Sequence, residues 1–197
     1  MPGNYEIVQA QLPLVFGLGG HNLIVVKDPS GRVIQEFDGL ATSADGTIKA
    51  VGYLPSDKLK VYSFDSPTYY TPDQNQYVVY STNSFTDISE RINAMTSAAA
   101  AMNAGDLSYP ILGLGKNSNS VSSTLIAATG STEFSVPNSA YIMPGVGDLL
   151  LPAATLDTIR TNNFINSPFG NNADTGTQFD NSWPSPNYGD IFGSFVS

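Results

Sequence analysis

The chain has 197 residues, enough for one domain with a substantial core, and 41% of them are hydrophobic. Only 13% are charged, against a usual share of about 25%, and 8 Lys+Arg beside 17 Asp+Glu leave a net charge of −9. So acidic a surface repels a phosphate backbone and anionic lipid, which argues against nucleic-acid partners, and the absence of Cys excludes disulfides, thiolate metal sites and a cysteine nucleophile.

At the N-terminus, Met1–Glu6 offers no basic region, and the apolar stretch Leu12–Leu18 is too short and too interrupted by glycine for a signal peptide or a membrane span. A soluble protein is expected, cytoplasmic or exported without a cleaved signal. His21–Lys27 is rich in β-formers, Asp28-Pro29-Ser30-Gly31 supplies turn chemistry, and Arg32–Asp38 is a second such run, which together predict a β-hairpin. Asp45-Gly46 marks a further turn, and Leu59–Phe64 and Tyr77–Ser81 read as strands.

From Thr86 the period changes. Ile88, Ile92, Met95, Ala99 and Met102 recur at spacings of four and three, behind Thr86 as N-cap and before Gly105 as a stop, so an amphipathic helix is expected with Ile92 and Met95 toward the core. A second helix is predicted from Asn117-Ser118 through Val121, Leu125 and Ala128 to Gly130. Pro152 suits the first turn of a third, reaching Arg160, because the amide proton that proline lacks would be unpaired there. Beyond Arg160 the chain is rich in Asn, Ser, Gly and Pro but carries Phe164, Phe169, Phe179, Trp183, Tyr188, Phe192 and Phe195. The expected organisation is a single α+β domain over residues 1–160, an antiparallel sheet with two to three helices packed on it. Residues 161–197 are expected to form a tail that wraps the domain and offers aromatic side chains to it or to a protein partner.

His21 is the single histidine and therefore the one side chain suited to proton transfer near neutral pH. Judged alone, it is more often an inert strand residue. Asn117-Ser118-Asn119-Ser120 stands at a predicted helix start, where unpaired amides and a partial positive charge stabilise an activated nucleophile or an oxyanion. Ser and Asn are also the ordinary caps and need no other reason to be there.

Together, Gly20-His21 opening a hairpin and Asn117-Ser118-Asn119-Ser120-Val121 entering a helix after Tyr109-Pro110-Ile111-Leu112 resemble the circularly permuted NlpC/P60 papain-like hydrolases. The resemblance covers roughly residues 17–40 and 107–130. It implies a papain-like fold and a peptidase, amidase or acyltransferase acting on a peptide, cell-wall or acyl substrate, with His21 as general base and Ser118 as nucleophile. Serine stands where the family usually has cysteine, and a hydroxyl attacks only with an oriented base beside it. A third group must then hold the imidazole, and the strand Arg32–Asp38 offers Asp38 or Glu36. Pairing of Lys27 with Arg32 sets Asp38 opposite His21, whereas pairing of Asp28 with Arg32 turns both carboxylates away, and this one-residue register is left open.

A non-catalytic papain-like scaffold that binds a partner or builds a structure predicts the same fold, as does an unrelated acidic protein. Gly113-Leu114-Gly115-Lys116-Asn117 is not a phosphate loop, since Pro110 and Asn117 break the pattern. One His and no Cys make zinc a poor fit, no cofactor is indicated, and no EF-hand loop is present, though Asp-rich turns leave weak calcium binding open.

Overall fold

Branched and aromatic side chains, which fit a pleated surface, dominate the strands. In the computed structural model, which describes residues 3–14, 19–49 and 51–164, six strands make one antiparallel sheet. They are β1 (Tyr5–Leu14), β2 (Gly19–Lys27), β3 (Val33–Thr42), β4 (Ile48–Lys49), β5 (Lys58–Phe64) and β6 (Asn75–Thr82), in the order β4-β3-β2-β1-β6 with β5 also paired to β3. The helices are α1 (Phe85–Ala104), α2 (Ser118–Ala128) and α3 (Ala153–Asn163). None of the described helices is long and apolar enough to cross a membrane.

The α+β class and the predicted hairpin are present, and β1 is an addition. Its Val8 and Ala10 turn to one face while Ile7 turns to the other, and at the second face Gln9 and Gln11 replace apolar residues, which blurs the strand signature in the sequence. Helix α1 begins two residues earlier than expected. Its N-cap is Ser84, whose hydroxyl accepts the Asp87 amide at 3.2 Å, so Thr86 lies inside the helix, while Gly105 does cap its end. Met95 is fully buried as expected, and Ile92, half-buried, packs against the same core, with Ala94 and Ala98 fully buried beside them. Helix α3 continues past Arg160 to Asn163, and Phe164 beyond it packs into the core, so the packed body does not end at residue 160. The other six tail aromatics, Trp183 among them, lie outside the described residues.

Two cores flank the sheet. On the helix side Ile7, Ile24, Val26 and Phe37 meet Ile88 and Met95 of α1, Leu125 of α2 and Leu156 of α3. On the other side Val8, Leu23, Val25 and Leu40 are closed over by Tyr69 and Tyr70.

One irregularity positions the candidate site residues. β2 pairs with β3 only as far as Ile24 opposite Phe37, and the same edge of β3 is next paired by β4 at Ala41. The two strands therefore fork beyond Ile24 and Phe37, and the first turn of α2 occupies the fork.

Candidate active site

The start of α2 is built by its own sequence. Asn117 is the N-cap, its side chain accepting the Asn119 amide at 2.7 Å while the Ser120 hydroxyl accepts the Asn117 amide at 3.2 Å, a reciprocal capping box. Gly113 and Gly115 precede it at φ of +72° and +120°, conformations that L side chains rarely adopt and that fold the approach back on the helix. Asn119 docks the helix into the fork. Its Oδ1 accepts the Asn22 amide at 2.8 Å and its Nδ2 donates to the Gly20 carbonyl at 3.2 Å, so it takes the place of a strand partner on either side of His21. On the other prong, Gly39 faces the helix directly. A Cβ there would stand 2.6 Å from Val121 Cγ2 and 3.1 Å from Ser118 Cα.

The hairpin register combines the two alternatives left open by the sequence. Asp28 does pair with Arg32, its amide donating to the Arg32 carbonyl at 2.9 Å, and Lys27 stands opposite Val33. A bulge then adds Ile34 to β3, after which Val26 faces Gln35, Val25 faces Glu36 and Ile24 faces Phe37. Carried onward, this register sets Asp38 opposite Leu23, on the same face as His21. His21 Nε2 and Asp38 Oδ1 are 2.9 Å apart and joined by a hydrogen bond. A single extra residue thus returns Asp38 to the face from which the turn alone would have removed it.

Both members of this pair are fully buried. Burial disfavours each charged form, pushing His21 down to about 4 against the opposing influence of Glu36, and Asp38 up to about 7. Glu36 follows on the same face, and burial together with the adjacent Asp38 pushes it up to about 8. The Thr68 amide at 2.9 Å and the Tyr69 amide at 2.8 Å oppose that shift, and the Tyr70 amide at 3.2 Å also donates to the Glu36 carboxylate. Glu36 therefore anchors the segment that covers this face, and Asp38 is the carboxylate that meets the imidazole.

Ser118 reaches the same fork from the helix side. Its backbone lies against Gly39, the residue after Asp38, and Asn119, the residue after it, bonds the two neighbours of His21. The Ser118 hydroxyl engages the buried Tyr109 phenol, which burial pushes up in pKa and the bond with Ser118 draws down. No hydrogen bond joins Ser118 to His21. His21 Nδ1 and Asp38 Oδ2 are buried and have no hydrogen-bond partner among the described residues.

Tyr109 and Asn119 both fall within the motifs that carry the sequence resemblance, but neither was expected to have a role of its own. Asn119 had a legible signal, standing immediately inside the helix where a second amide next to the N-cap is not required for capping. Tyr109 had none, since an aromatic before Pro110 reads as core. Among the described residues no three His, Cys, Asp or Glu side chains gather in a way that could hold a metal ion. Comparison of the chain with protein-family models, with curated proteins and with solved structures finds no match.

Proposed function

We propose that the chain is a permuted papain-like hydrolase or acyl-transfer enzyme that acts on an amide or ester through Ser118, with His21 as base and Asp38 as its orienting carboxylate. The observation that carries this reading is the buried His21–Asp38 bond with the second imidazole nitrogen unpaired; the pair lies on the face of the sheet opposite α2, and Ser118 at the helix start meets it only through the fork. With Asp38 ionised, Nε2–H donates to the carboxylate and the Nδ1 lone pair is free to accept a proton. Ser118 Oγ then attacks the carbonyl carbon, its proton passes to Nδ1, and the oxyanion develops near the amides that open α2. Collapse breaks the bond to the amine or alcohol, which takes the proton from Nδ1. Water or a second acceptor repeats the sequence to release the acyl group. The hydroxyl must first turn away from Tyr109.

A second reading is favoured by a specific observation, the burial of Ser118 to 2% exposure with its hydroxyl engaged by Tyr109. It is that of a papain-like scaffold without catalysis, serving as a binding or structural protein. The two readings part on labelling by an electrophilic serine probe. The enzyme reading expects modification at Ser118, read by peptide mass spectrometry, and its loss in His21→Ala. It also expects Ser118→Cys to show thiol-dependent turnover of a model ester or amide. An unlabelled serine together with an inert cysteine variant leaves the scaffold reading standing.

A further inference from the structure

The helix-side face of β1 and β2 carries a second polar centre that the chemistry above does not use. Gln9 and Gln11 both project there from β1, and Asn22 of β2 stands directly opposite Gln11. All three are buried, with 0%, 3% and 3% of their surface exposed. Gln9 Nε2 donates to the Ser122 hydroxyl of α2 at 3.0 Å and to Glu133 Oε1 at 2.8 Å. A carboxylate only accepts, so this contact fixes which end of the Gln9 amide is nitrogen and turns Oε1 elsewhere.

Three amide oxygens, Gln9 Oε1, Gln11 Oε1 and Asn22 Oδ1, are buried there with no hydrogen-bond partner among the described residues. Native interiors leave few such groups, and three on neighbouring positions of one face have a common cause. Glu133 adds a carboxylate with no basic partner among the described residues, and the chain as a whole carries a net charge of −9. The segment after α2 packs against the adjoining strands. The Phe134 amide donates to the Tyr77 hydroxyl at 2.8 Å, and Met143 and Tyr141 press against Gly20.

We propose that this polar centre binds a primary ammonium group, of a free amine or of a lysine-like side chain. An alkylammonium has three N–H donors and no acceptor, which matches three carbonyl oxygens beside one carboxylate. Its charge is offset by Glu133 and its apolar stem is accommodated by Phe134. Ammonium binding there requires no reaction at Ser118, so the site stands or falls separately from the enzyme.

The test titrates methylammonium chloride into the full-length, 15N-labelled protein at constant ionic strength and follows the side-chain amide signals of Gln9, Gln11 and Asn22. Tetramethylammonium, which has the charge but no N–H, and potassium serve as the other arms. The expected result is a saturable shift of these signals with methylammonium alone, and at least tenfold weaker binding in Glu133→Gln and in Gln11→Leu. Glu133 is only half-buried, so its variant keeps the test decisive if Gln11→Leu does not fold. No saturable shift, an equal response to tetramethylammonium, or a response to potassium instead overturns the proposal, the last by assigning the oxygens to a metal cation.

Discussion

Replacing Gly39 by alanine tests the docking of α2 in the fork. The added methyl would stand 2.6 Å from Val121 Cγ2, 2.7 Å from Val121 Cβ and 3.1 Å from Ser118 Cα. Two of the three contacts are closer than real carbon atoms come. Val121 is β-branched and held in a helix, so it has little rotamer freedom with which to retreat, and the third contact is backbone. Overpacking of this kind costs roughly 1 to 3 kcal/mol, and a gain of about 0.4 to 1 kcal/mol from stiffening the unfolded chain offsets part of it. The net expectation is a loss of about 1 to 2 kcal/mol, equivalent to a fall in Tm of roughly 2 to 8 °C for a chain of this size. Urea denaturation of wild type, Gly39→Ala, Val121→Ala and the double variant measures it, because removing the Val121 methyls opens space for the new one. The cycle is expected to show a favourable coupling of about 1 kcal/mol or more, within the range for residues in contact. A Gly39→Ala protein as stable as wild type, or a coupling near zero, would refute the claim that α2 seats against bare backbone at this point.

Met95→Ala should cost roughly 2 to 5 kcal/mol, since its side chain is fully buried between α1 and the sheet, and half-buried Ile92→Ala should cost less; equal losses in chemical denaturation would contradict the burial described. Asp57 is held down to about 2: burial opposes its charge, but the Leu54 and Tyr53 amides, Lys49 and Ser43 more than compensate. Because its folded pKa lies below its ordinary 3.8, the stability it confers is complete above pH 4 and disappears as pH falls toward 2, so Asp57→Asn should flatten the acid limb of the stability curve. Turnover or probe labelling at Ser118 should rise with pH through about 7, where Asp38 ionises and frees Nδ1 as an acceptor. A rate that declines through that range would exclude Asp38 as the orienting group.

The sequence by itself determined the elements whose signals are local. Turn residues between β-rich runs specified the β2–β3 hairpin, and apolar spacings of three and four specified α1. The run of Asn and Ser at 117–120 placed the start of α2 near Asn117-Ser118, where the structure has it, because capping is a matter of a few neighbouring backbone amides. It did not determine β1, whose helix-side face is polar at Gln9 and Gln11 for reasons that lie in α2 and the segment after it. Nor did it determine the relation of Asp38 to His21. In a strand, one residue of slippage exchanges the faces, and here the turn fixed one register while the bulge at Ile34 imposed another. Only the assembled sheet decides between them, since the energy that selects the bulge comes from burying Phe37 on one face and Leu40 on the other. The fork that admits α2, the use of bare Gly39 as its seat, and the engagement of Ser118 by Tyr109 join residues far apart in the chain, and no local pattern encodes them.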